Sequence, residues 1–476
     1  MPPQNNRITI TSAASAITLS PGKSVKLILL ELNELAPDLM TQFIEAGDLP
    51  NFRRLRQEST LYTTDAGEDP PNLEPWIQWI TVHTGVPFSE HRVFHLGDAE
   101  EKLRYPGIGR IVSDSGASVG ICGSMNAGYG ELRGYVVPDP WSKTRHPHPS
   151  WLAGYYDFVA SRVQESSRNG GATSLTSNAR FVATLLRAGL SARTVWETVR
   201  QLGAECVDAG VAWRKACLLD LYQYDLFRGL NARYDVRFAT FFSNCVAHYQ
   251  HYYWRHMSPE LFPVPPPASD HGSLRDAIRT GFKVSDGVVG RVLRDYPRAI
   301  IVFCTALSQI PWTETQKVTY RPRDFARLLR FAGIESGRVE IFPVMAEQFH
   351  VKCQDEPHAR EVAAQLHDVK VNGASAVYVR TEGDSVFAGC SVFELRNGTE
   401  IITSRTDQRG VGFNDLFYMI HTMRSGQHAR PGMLWIRSGR SQLVADKVSV
   451  AAIAPTILTA MGIKPPEYMK EHPLPV

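Results

Sequence analysis

Val25–Leu32 (VKLILLEL) is a nearly unbroken apolar run. It lacks the alternation of a half-exposed strand and predicts one covered on both faces of a parallel sheet. A helix is expected from Pro37, with Leu39, Phe43 and Ile44 on one side, and Gly47 breaks it. Leu49-Pro50-Asn51 opens another helix with Phe52 and Leu55 inward. Ala117–Cys122 and Ala299–Cys304 read as two further strands. Near the far end, Val450, Ile453, Ala454, Ile457, Leu458 and Met461 recur at helical spacing, which predicts an amphipathic helix ended by Gly462 and Pro465-Pro466. Strand, helix and strand in this order predict an α/β chain with a mostly parallel central sheet flanked by helices.

Two stretches read as additions to that core. Residues 151–235 are rich in helical patterning, with an apolar stripe at Phe181, Val182, Leu185 and Leu186, and hold no convincing strand. Residues 338–400 run VEIFPV, a helix around His358–Leu366, then SAVYVRT and SVFAGCSVFEL, a β-α-β-β order that predicts a small α+β lid. The expected organisation is a flexible lead at 1–23, core segments at 24–150, 236–337 and 401–476, a helical insertion at 151–235 and the lid at 338–400.

Composition narrows the class without naming a chemistry. Fifty-one Lys+Arg against 48 Asp+Glu leave a net charge of +3, far from the excess of a nucleic-acid binder. No apolar run has the length of a membrane span. The polar first residues carry no basic and apolar signal-peptide regions. Seven scattered cysteines without a CxxC pair fit reduced thiols, so a cytoplasmic chain is expected.

Four clusters hold candidate chemistry. Asn244, His248 and His251, in FFSNCVAHYQHYYWRHM, share one helix face at i, i+4 and i+7. They suit a metal or a phosphate, or else form a polar face with Tyr252 and Trp254 packed inward. Glu31, Asn33 and Glu34 follow the first strand at its C-terminal end, where open parallel sheets bind ligands, unless one of them caps the next turn. The 68–95 segment gathers Glu74, His83, His91 and His95 with Trp76 and Trp79. The fourth, around His428, places Arg424, Arg430 and Arg437 near an anionic substrate, or leaves them as solvated charges. The chain lacks GxxxxGK[ST], GxGxxG after a strand, GxSxG and HExxH, so phosphate-loop, Rossmann, serine-hydrolase and zincin readings have no support.

Taken in order, ILLELNELAPDLMTQFIEAGDLPNFRRL, WITVHTGVPFSEHRVF, FFSNCVAHYQHYYW, GQHARPGMLWIRSG and VAAIAPTILTAMGIKPPEYMKEHPL resemble the alkaline phosphatase superfamily, in its type I phosphodiesterase/nucleotide pyrophosphatase branch. The resemblance implies a two-zinc hydrolase with a Thr or Ser nucleophile. This chain departs from it at ligand after ligand. Asn33 stands for the first-strand aspartate, Pro75 beside Glu74 for the nucleophile, and Asn244 for the helical aspartate. Thr305 and Ala306 stand for a later Asp-His pair, while His248 (or His251) and His428 are retained. Neutral amides do not balance two dications in a low-dielectric cleft.

The expectation is therefore a divergent member with a rebuilt site. It holds one divalent ion, zinc by resemblance, among Glu31, Asn33, Glu34, Asn244, His248, His251 and His428. Glu74 and His91 are the candidate acid–base residues. Arg424, Arg430, Trp76 and Trp79 are the candidate contacts to a small anionic or phosphorylated substrate. A metal-free transferase, or an inactive binding protein using the same cleft, is the alternative.

Overall fold

Leu27–Leu32 forms a strand that is buried at every position. Its side chains divide by the period of two: Ile28, Leu30 and Leu32 join Phe43, Phe52 and Phe282 on one face, while Leu27 and Leu29 join Trp79, Val82 and Ile457 on the other. Both faces of the sheet are thus covered by helices, the condition under which an apolar run without alternation is stable as a strand. The computed structural model describes residues 27–142, 146–165, 175–314, 316–344, 347–396, 398–420 and 423–476. The expected lead at 1–23, with Val25 and Lys26, lies outside the described residues.

The first strand pairs in parallel with Phe238–Ser243 on one side and Ile300–Cys304 on the other. Val119–Cys122 and Gly134–Val137 extend the parallel run beyond Phe238–Ser243. On the other flank Pro431–Arg437 lies antiparallel between Ile300–Cys304 and Ser59–Asp65. The short strands Gln442–Leu443 and Val448–Ser449 add in parallel to Ser59–Asp65. The result is the expected α/β architecture, a mostly parallel sheet of nine strands.

Helices Pro37–Glu45 and Pro50–Gln57 each start on a proline, and Gly47 turns between them at φ +84°. The terminal helix differs from its expectation. Val450–Ala452 is a 3-10 turn, and Ile453–Ala460 is buried on most of its circumference, because it packs between the sheet and the Pro75–Thr84 helix.

The 151–235 stretch contains helices Ala153–Glu165, Leu175–Ala188, Ala192–Val207 and Lys215–Tyr234. Its expected apolar stripe is split: Phe181 and Leu185 are buried, while Val182 and Leu186 are exposed. A separate apolar cluster running from Val318 to Met423 forms the core of a small α+β unit, taking in residues on either side of 338–400. There, helix Glu356–His367 packs on antiparallel strands Val377–Glu382 and Ser385–Cys390. Among the described residues no helix is long and apolar enough to cross a membrane.

Candidate functional site

The chain leaves the first strand through a strained turn. Glu34 adopts φ +60°, a left-handed conformation uncommon for any residue but glycine. Neighbouring elements hold it there. Asn33 N–H donates to Ser243 O, and Glu34 N–H donates to Thr305 O. The buried Gln250 amide completes the clamp, donating to Glu34 O at 2.7 Å and accepting from Ala36 N at 3.0 Å. Strain held by so many bonds turns the Glu34 carboxylate toward the space beyond the sheet's C-terminal edge.

Two histidines meet it there. Helix Cys245–Met257 brings His251, and strand Gly426–Ala429, paired antiparallel with Ser308–Pro311, brings His428 opposite Gln309. Their Nε2 atoms lie 3.1 and 3.2 Å from Glu34 Oε2, and their rings are 5.1 Å apart. Each Nδ1 faces a backbone carbonyl: Gly426 O at 3.2 Å for His251, and Leu73 O at 2.9 Å for His428. A carbonyl accepts only, so both Nδ1 atoms carry the proton and each neutral ring would aim an Nε2 lone pair at a carboxylate.

Only a proton or a cation makes such a contact attractive. Burial pulls His428 down, but Glu34 and Glu74 raise it more, to about 9. Burial dominates for His251 and holds it below the ordinary value despite Glu34. Burial also works against an ionised Glu34, yet the two histidines hold its carboxyl well below the usual range. His251 is thus the ring left with a lone pair facing an anion.

This donor set fits a divalent metal. One atom each of Glu34, His251 and His428 lies within 4.8 Å of the other two. A tetrahedral zinc with bonds of about 2.0–2.2 Å spaces its ligand atoms roughly 3.3–3.6 Å apart, close to the 3.1 and 3.2 Å between Glu34 Oε2 and the two imidazoles. The buried His428 Nε2 meets Glu34 Oε2 at 3.2 Å, outside hydrogen-bond geometry. Metal-bound histidines characteristically give their second N–H to a carbonyl or carboxylate, as both do here.

The carboxylate opens onto a cavity of about 440 Å³ that Trp76, Trp312, Tyr252, Glu74 and Arg424 help to line. Glu74 is the N-cap residue of helix Pro75–Thr84, extended as a residue before proline must be, yet its side chain makes no capping hydrogen bond. Its carboxylate instead lies 3.4 Å from His428 Nδ1. Burial raises Glu74, His428 lowers it, Glu34 raises it again, and the result is about 7. Arg424 faces Glu347 at 3.5 Å, and the buried Arg321 gives an N–H to Val344 O.

Several expected residues lie elsewhere. The Asn33 amide is committed to the protein: Trp79 Nε1–H donates to its Oδ1 at 2.7 Å, which turns its Nδ2 to Glu34 Oε1 at 2.6 Å and Asn244 Oδ1 at 2.8 Å. The same bond commits the Asn244 oxygen. Trp79 is fully buried and does not line the cavity. Glu31 is buried against His83 at 2.7 Å, outside the donor group. His248 lines the cavity but stands apart from the three donors. His91 sits in the core, its Nδ1 accepting from Val93 N, and burial pulls it down to about 4. Arg430 pairs with Asp65 and Asp69, away from the cavity.

Other contributors carry no local sequence signal. Gln309 donates to Glu34 Oε2 at 2.6 Å from a strand more than 270 residues downstream. Arg321, Glu347 and Trp312 reach the cavity only through the packing of the α+β unit and its flanks.

No family model and no curated protein matches the chain. Among solved structures, murine ectonucleotide pyrophosphatase/phosphodiesterase 5 aligns at 8% identity with a TM-score of 0.41, over 94% of this chain and 96% of that one. Human ectonucleotide pyrophosphatase/phosphodiesterase 5 aligns over the same shares at 8% identity and a TM-score of 0.39. Likeness at this level assigns neither a family nor an activity, and the functional reading rests on the side chains.

Proposed function

We propose that this protein is a hydrolase or transferase for a phosphate-bearing or other anionic ester, working with one divalent metal in a single Glu-His-His site. The observation that carries this reading is the pair of imidazoles whose Nδ1 protons are spent on carbonyls and whose Nε2 atoms converge on one buried carboxylate. Glu34, His251 and His428 would hold the ion, with zinc favoured by this mix of nitrogen and oxygen donors. When bound, such an ion polarises a substrate oxygen as a Lewis acid.

The chain's own residues divide the remaining work. Glu74 takes the proton from the attacking water or hydroxyl, its carboxylate being free of any capping bond. Arg424 balances the charge of the substrate. Trp76, Trp312 and Tyr252 limit water around it. Among the described residues lining the cavity there is no serine, threonine or cysteine, so direct attack is favoured over a covalent enzyme intermediate.

A second reading, a binding protein without turnover, is favoured by one observation. The Asn33 and Gln309 amides both donate to Glu34 and would help to stabilise its carboxylate without a metal. Elemental analysis of the purified chain, with turnover of 4-nitrophenyl phosphate and bis(4-nitrophenyl) phosphate, separates the two. About one metal per chain and metal-dependent hydrolysis lost in His428→Ala are expected. Metal-free protein that stays inactive after zinc or manganese is added would give the cleft to the binding reading.

A further inference from the structure

The helix Ala192–Val207 faces the wrong way for a soluble helix. Its buried residues are the polar Thr194 and Gln201, while Val195, Trp196, Val199 and Leu202 are 43–64% exposed. By helical spacing these four share the outward side, and the exposed Arg193 and Arg200 border it. The preceding helix, Leu175–Ala188, is apolar on both sides. Phe181, Leu185 and Ala188 point inward, Leu175, Val182 and Leu186 point outward, and Arg180 and Arg187 are exposed beside them. Eight of the fifteen exposed large hydrophobic residues of the described chain fall within 175–207. Apolar exposure on this scale marks an interaction surface.

We propose that helix Ala192–Val207 docks on an anionic lipid surface, with its apolar stripe entering the interface and its bordering arginines meeting the headgroups. Charge selects that occupant. The segment 175–207 carries four arginines against Glu197 and Glu205, an excess of two positive charges, and both carboxylates are engaged, Glu197 with Arg200 and Glu205 with Lys215 outside the segment. A second copy laid face to face would set arginine against arginine with no free acid to balance them. An anionic bilayer supplies the missing charge, and a half-exposed tryptophan beside a cationic border suits the headgroup level.

Co-sedimentation of the full chain with phosphatidylcholine vesicles, with and without roughly a third phosphatidylglycerol, tests this proposal. Binding to the anionic vesicles that weakens with added salt is expected. It should fall by about tenfold or more in Trp196→Ser/Val199→Ser and in Arg193→Glu/Arg200→Glu. Both pairs are surface substitutions, and unchanged melting temperatures check that the fold is intact. Absence of binding, equal binding to neutral vesicles, or full binding by the variants would overturn the proposal. So would a concentration-dependent dimer that Trp196→Ser/Val199→Ser dissociates, because that result assigns the face to a second copy.

Discussion

The Asn33 side chain donates to the carboxylate of Glu34 at 2.6 Å, and the indole of Trp79 fixes the direction of that bond. The neighbouring amide thus supports a buried anion. An aspartate at position 33 would face Glu34 and the Asn244 oxygen with no proton to give. Asn33→Asp should therefore cost roughly 1–3 kcal/mol in metal-free protein, and zinc should recover part of the loss. Thermal melts with chelator and with zinc read both effects. An unchanged chelator melt would end the donor assignment.

Glu74 offers a cleaner separation of chemistry from folding. Because its side chain caps nothing, Glu74→Gln should leave the start of helix Pro75–Thr84 intact, with a stability change of no more than about 1–3 kcal/mol from the altered contact with His428. Turnover should drop roughly 10²–10⁴-fold, the usual contribution of a general base. Equal turnover in the two proteins would remove Glu74 from the mechanism.

Helix Cys245–Met257 presents two histidines to the cavity, but only His251 joins Glu34 and His428. His251→Ala and His428→Ala should each weaken zinc binding by more than the 10–100-fold typical of outer-shell changes, while His248→Ala should stay within that range. Isothermal titration of each variant with zinc decides which histidine matters. The reverse order would mean that His248 is the ligand.

Asp220 supplies a pH test away from the metal group. Burial lifts its carboxyl to about 7, with the Ser243 hydroxyl lowering it only in part. A raised folded value means the stability linked to the bound proton is fully present below about 3.8 and is lost as pH rises through about 7. Asp220→Asn cannot ionise. It should gain on the order of 2–4 kcal/mol over the parent at pH 8 and little near pH 4. Urea unfolding at the two pH values measures the difference, and an equal effect at both would show that the carboxyl titrates normally.

Gly426 lets the His428 strand approach the His251 helix. A methyl there would overlap Gln309 Oε1 and the backbone carbonyl of Gln250, the two residues whose side chains hold Glu34. Gly426→Ala should cost about 1–3 kcal/mol and lower zinc affinity together. Loss of stability with full zinc affinity would separate this packing from the site.

Much of this architecture is legible along the chain. An apolar run without alternation is enough to place Leu27–Leu32 inside a two-sided sheet, and prolines at 37 and 50 mark where helices begin. Glu34 and His428 were legible as candidates too, since a strand's C-terminal end and a loop before an apolar strand are local features. Periodicity could not say which of His248 and His251 meets Glu34. The two are one helical turn apart, and the helix's rotation is set by its packing. Nor could it tell that Asn33 donates, because Trp79 decides which way that amide points. Gln309 lies 275 residues from Glu34, and hydrogen-bond reach between them is a matter of a few ångströms that no sequence spacing encodes. The outward stripe of Ala192–Val207 follows the same logic. Amphipathic spacing reveals that a helix has two faces, and the contacts it makes after folding settle which of them meets solvent.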